Sequence, residues 1–81
     1  MVESIHTNRY RMLTSILIEA RKSKGYSQAE LAEKLEKVQT YVSKFERGER
    51  RLDVVEFLDV ATALQIDALK VLRKIQSTEE P

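Results

Sequence analysis

No cysteine occurs in the 81-residue chain. That excludes disulfide staples and thiolate metal sites, and it fits a reducing cytoplasm. His6 is the single histidine, so no ligand set for zinc can be assembled. No serine or lysine has a histidine placed to activate it. Only two glycines are present, and they form no glycine-rich phosphate loop. Neither an enzyme nor a bound cofactor is expected. No apolar run approaches the ~20 residues that cross a bilayer. The first residues, MVESIHTNRYRM, lack the continuous apolar stretch of a secretory signal. The expectation is a cytoplasmic protein with no membrane partner and no evident small-molecule ligand.

What is there is charge, unevenly spread. The net charge is only +1, which by itself says nothing about partners. Residues 34–51, however, hold six basic side chains (Lys34, Lys37, Lys44, Arg47, Arg50, Arg51) against three acidic ones, and residues 52–81 hold three against six. A basic cluster usually marks a solvated helical face, and it is also the footprint of an anionic partner. A chain this short forms one domain with a small core and modest stability, which makes support from a second copy an expectation.

Sustained alternation of apolar and polar residues is absent, so no strand is predicted. Five helices are predicted. The first spans about Asn8 to Lys24, where Tyr10, Leu13, Leu17 and Ala20 recur at helical steps with Ile16 beside them; Gly25 follows as the helix stop. The second opens at SQAE, a capping box of Ser27 and Glu30, with Tyr26 and Leu31 as a hydrophobic staple. Its stripe is Leu31, Ala32 and Leu35. The third runs from about Gln39 to Arg47 and is stopped by Gly48. Only Val42 and Phe45, with Tyr41 in part, face a core, which leaves most of its surface free. The fourth follows DVVE, a second capping box of Asp53 and Glu56 with Leu52 and Phe57 as the staple, and its predicted stripe is Val54, Phe57, Leu58, Ala61 and Leu64. The fifth is DALKVLRKIQ. Residues 8–76 thus make a compact all-α five-helix bundle, between a flexible N-terminus at 1–7 and a disordered tail at 77–81. Helices two and three are short and joined by a tight turn, a helix-turn-helix arrangement.

The run SQAELAEKLEKVQTYVSKFERGERRLDVVEFLDVATALQID resembles the Cro/repressor-type, or XRE, helix-turn-helix family, which includes lambda-repressor-like proteins. The likeness covers roughly Ile16 to Leu72 and is carried by Ser27-Gln28, Leu31-Ala32, Leu35, Gln39 to Val42, Ser43, Glu46, Gly48, Ala61 and Leu64. It implies a sequence-specific regulator of transcription that binds double-stranded DNA as a dimer on a palindromic or pseudo-palindromic operator, with the third helix in the major groove. Gln39 matches the principal base-reading position, and its amide can donate and accept at the N6/N7 edge of adenine. Thr40, Ser43 and Lys44 share that face. Gln28 matches a position that touches a phosphate and supports Gln39. Tyr41, Arg47, Arg50 and Arg51 are the remaining candidate phosphate contacts. Arg21 and Glu46 match a pair that ties the reading helix to the scaffold. The chain departs from the family at Glu36 and Gln65, where glycine is usual, and at Val38, where a capping residue or proline is usual. Glu36 must take an unusual backbone conformation or reshape the turn. Val38 is expected to bury against Val42.

Ile18, Val55 and the stripe Leu69, Leu72 and Ile75 exceed the apolar surface that so small a core needs. The last helix is therefore the expected homodimer surface, with Val71 turned inward. The alternative is a helical protein-interaction module such as an antitoxin-like partner-binding protein. Such a module gives no reason to keep the face bearing the basic residues and Gln39 free of apolar side chains.

Overall fold

The computed structural model describes residues 7–79. Within them the chain forms α1 (Asn8–Ser23), α2 (Gln28–Lys34), α3 (Gln39–Glu46), α4 (Val54–Leu64) and α5 (Ala68–Gln76), and no strand. The predicted all-α five-helix bundle is the fold, with α2 and α3 as its helix-turn-helix. Of the predicted flexible segment 1–7, only Thr7 is a described residue. Its hydroxyl accepts from the Tyr10 N–H and caps α1.

Helix starts follow the sequence signals. Both arms of the Ser27–Glu30 box are formed, as are both arms of the Asp53–Glu56 box. Asp67 accepts from the Leu69 and Lys70 amides at the start of α5. The exception is α3, whose N-cap Val38 offers no side-chain acceptor.

The first four helices end in one shape. Gly25, Glu36, Gly48 and Gln65 all have positive φ, at 77°, 57°, 74° and 57°. After α2, the Glu36 N–H bonds the Glu33 carbonyl and the Lys37 N–H bonds that of Ala32. This is the paired 5→2 and 6→1 pattern of a left-handed stop. The same two bonds recur at Gly25–Tyr26, Gly48–Glu49 and Gln65–Ile66. Of the two possibilities at Glu36, the chain therefore keeps the glycine-type turn and holds a glutamate in it.

The core is built from Leu17, Leu31, Val42, Phe45, Val60 and Leu64, all essentially inaccessible to water. α3 lies against α1 and α2, while α5 closes the bundle against α1 and α4. Two residue assignments differ from the expectation. The buried stripe of α4 is Phe57, Val60, Ala61 and Leu64, whereas Val54 and Leu58 are exposed; at 100° per residue those two sit on the shoulder of the stripe, away from Val60. On α5, Ile75 is half-buried against the core alongside Val71 and Ala68, so it leaves the free face to Leu69 and Leu72. The spacing explains it, since 68, 71 and 75 follow a helical three-then-four step. Residues 76–79 are bonded to the start of α1. Arg9 donates to the Gln76 and Thr78 carbonyls at 3.2 and 3.1 Å, and Asn8 donates to that of Glu79 at 3.2 Å.

Candidate nucleic-acid interface

α3 buries only Val42 and Phe45, so the rest of its surface looks outward. Gln39, Thr40 and Lys44 are exposed, and none of their side chains has a hydrogen-bond partner among the described residues. Ser43 is half-buried, and its hydroxyl donates weakly to the Thr40 carbonyl at 3.3 Å. The four predicted base-reading residues therefore share one helix and one accessible side of it.

Behind them is a clamp. Arg21 of α1 meets Glu46 of α3 in a two-pronged pair, Nε to Oε2 at 2.7 Å and Nη2 to Oε1 at 3.1 Å. The side chains are only 11% and 5% exposed. The remaining Arg21 nitrogen, Nη1, donates to the Tyr26 carbonyl at 2.8 Å. The Gln28 amide donates to Glu46 Oε1 at 2.9 Å. Gln28 thus joins the clamp, where the sequence placed it at a phosphate and beside Gln39. One carboxylate gathers donors from α1 and α2 and holds the C-terminal end of α3. Removing either charge of such a buried pair costs about 3–5 kcal/mol, because the other is left unpaired.

The arginines after α3 divide by partner. Arg47 pairs with Glu49 at 2.8 Å, both more than half exposed, an arrangement of little energetic weight that a phosphate can replace. Arg50 is committed within the chain. It grips Glu56 at 2.7 and 3.2 Å, donates to the Arg51 carbonyl and stacks over the Tyr41 ring at 4.6 Å. Arg51 is exposed, and its side chain has no partner among the described residues. Tyr41 is half-buried, edge-on to Phe45 with ring centres 5.7 Å apart. Burial raises its phenol pKa, helped by the nearby Glu56. Its hydroxyl has no hydrogen-bond partner among the described residues. Each carboxylate on this flank (Glu46, Glu49, Glu56) carries an arginine, which removes the repulsion it would offer a polyanion.

One positioning residue escaped the sequence. Tyr10 counted only as part of an apolar stripe, yet its hydroxyl accepts from the Leu52 N–H at 2.8 Å and donates to the Arg50 carbonyl at 3.2 Å. It pins the loop between α3 and α4 to α1. The available signal was the polar tip of a tyrosine on a core stripe, which needs a partner when buried. Among the described residues no group of three or more His, Cys, Asp or Glu could hold a metal ion, and no helix is long and apolar enough to cross a membrane.

Comparison with known proteins adds the following. The helix-turn-helix family model matches residues 17–71. An XRE-family-like protein from Pseudomonas syringae pv. tomato str. DC3000 superposes with a TM-score of 0.80 at 43% identity, over 85% of this chain and 84% of that one. The restriction-modification controller protein C.AhdI from Aeromonas hydrophila gives a TM-score of 0.66 at 36% identity, over 79% of this chain and 97% of its own. The clp gene regulator ClgR from C. glutamicum gives 0.74 at 28% identity, over 84% and 87%. No curated protein matches the chain.

Proposed function

The chain belongs to the XRE family of helix-turn-helix DNA-binding transcription regulators, and from that premise we propose that it acts in the cytoplasm as a homodimer on a two-fold-related operator in double-stranded DNA. One observation carries this: α3 is fixed at its C-terminal end by the Arg21–Glu46–Gln28 clamp, while Gln39, Thr40 and Lys44 are exposed and unpartnered beyond it. A rigid helix with free donors and acceptors is what base-edge recognition needs.

In this proposal Gln39 reads adenine, and Thr40 and Ser43 offer hydroxyls to neighbouring bases. Lys44 reaches a guanine edge or a phosphate. Arg51, Arg47 and the Tyr41 hydroxyl take phosphates, which set register without reading sequence. Arg50 and Gln28 act one step back, by holding Tyr41 and Glu46. Arg21 and Glu46 are structural. A single reading helix covers too few base pairs to be selective, so two copies are called for, with half-sites about one helical turn apart, roughly 34 Å. Leu69 and Leu72 are the candidate pairing residues, and the core takes Ile75. No cofactor or small-molecule ligand is required. The 36% identity to C.AhdI favours a controller-type regulator over an antitoxin-like protein-binding module.

The test is a random duplex pool enriched on the purified protein and sequenced, followed by Gln39→Ala. The substitution should cost roughly 1–3 kcal/mol on the enriched site and relax preference at one position per half-site. Affinity for random duplex should barely change. Equal losses on both DNAs would remove Gln39 from base reading.

A further inference from the structure

Six large apolar side chains are exposed among the described residues: Val38, Val54, Val55, Leu58, Leu69 and Leu72. Five belong to α4 and α5. Val38 stands apart, 71% exposed at the N-cap of α3 and adjacent in sequence to Gln39. The position is unfavourable twice over. A serine, threonine, aspartate or asparagine here would accept a helix N–H, as Thr7, Ser27, Asp53 and Asp67 do for the other four helices, and the valine cannot. It also holds an isopropyl group in water. Branching at Cβ restricts its rotation, so both methyls are presented at a fixed place beside the reading residues.

We infer that Val38 is a specificity-determining residue that packs on the 5-methyl group of a thymine adjoining the base read by Gln39; this rests on the proposal above that α3 enters the major groove. Thymine is the one base with an apolar group on its major-groove edge, and a branched aliphatic side chain is the complement of that group. Thr40 on α3 also carries a methyl, but its hydroxyl gives it a polar use at a base edge, whereas the exposed end of Val38 is wholly apolar and has no other use there.

The experiment uses the duplex enriched from the random pool on the wild-type protein. It is resynthesised with deoxyuridine in place of each thymine in turn, which removes one methyl and leaves every hydrogen-bonding group intact. One thymine per half-site should lose about fourfold in affinity, the worth of one methyl-sized apolar group. Val38→Ala should bind the unmodified site more weakly and be indifferent to that same replacement. Val38→Ser should be equally indifferent while melting at or above the wild-type temperature, because it regains the cap. The inference is overturned if no thymine is sensitive, if the sensitivity survives in Val38→Ala, or if Val38→Ser melts lower and so reveals a valine kept for the fold. A wild-type protein that enriches no sequence at all would instead sink the operator proposal, and this one with it.

Discussion

Glu36 and Gln65 hold the backbone where glycine is at ease, and the strain is confined to single residues. A non-glycine residue in the left-handed region costs roughly 1–2 kcal/mol, and part of any gain from glycine is offset by the freedom it adds to the unfolded chain. Glu36→Gly and Gln65→Gly should therefore each stabilise the protein by about 0.5–1 kcal/mol, seen as a higher urea midpoint at unchanged slope. No shift at either position would show that the surrounding turn bears no strain. The sequence flagged both departures from glycine and could not decide the outcome at Glu36, because local propensity does not say whether packing on either side will enforce a turn. Val38 was misplaced for a related reason. Helical periodicity assigns faces to residues inside a helix, and an N-cap lies outside that periodicity. The bond from Gln28 to Glu46 spans 18 residues, beyond any local pattern, so the place of Gln28 in the clamp was not legible in the sequence.

Elements were legible where a helix has one apolar face and ambiguous where it has several. α1, α2 and α3 each turn the predicted stripe inward, with Leu17, Leu31, Ala32, Val42 and Phe45 buried and Leu13, Ile16, Ala20, Leu35 and Tyr41 partly so. α4, VVEFLDVATAL, is apolar almost all round, so spacing alone could not choose between Val54 and Val60, and packing against the other helices decided it. The start of α4 also does two tasks with one side chain. Glu56 accepts from the Asp53 N–H as a cap and binds Arg50 beneath Tyr41, which links the loop after α3 to α4. The Arg50 hydrogen bonds, and then the cap, hold the Glu56 carboxyl at about 2, well below its ordinary 4.5. A carboxyl depressed on folding contributes stability above pH 4.5 and loses it as pH falls toward 2. Glu56→Gln keeps an acceptor for the cap and removes the charge. It should be less stable at pH 7 by no more than about 1 kcal/mol, since the pair is partly exposed. Its urea midpoint should also fall less steeply than the wild type's between pH 4.5 and 2. Parallel curves would mean that Glu56 does not carry this acid sensitivity.

At the scale of the molecule, the small core and the apolar surface left on α4 and α5 point the same way. Single exposed aliphatics are ordinary. Five on two consecutive helices, on a protein proposed to cover two half-sites, mark the proposed pairing surface. The sequence named the last helix correctly as amphipathic but took three residues at three-residue steps for one stripe. The structure splits them, and Ile75 is unsuitable as a probe because changing it injures the core. Leu69→Glu with Leu72→Glu is the appropriate pair. The double variant should keep its helical circular dichroism, lower the molar mass seen by light scattering, and bind the enriched site more weakly. A wild-type protein that is monomeric at tens of micromolar, or a variant of unchanged mass, would rule out this face.

The bonds from Arg9 and Asn8 to carbonyls at and beyond the last residue of α5 join residues 67 to 71 positions apart, whereas α2 and α3 are neighbours in sequence. Closing the longest loop in the chain carries the largest entropic cost, so α5 is expected to detach before α2 and α3 when the native state breathes. Its amides should exchange with solvent sooner than those of the reading helix. The proposed second copy, seated on Leu69 and Leu72, would bind only the closed form and so shift this local opening by mass action. Protection of α5 would then rise with protein concentration, and the order at one end of the fold would report how much of the protein is paired.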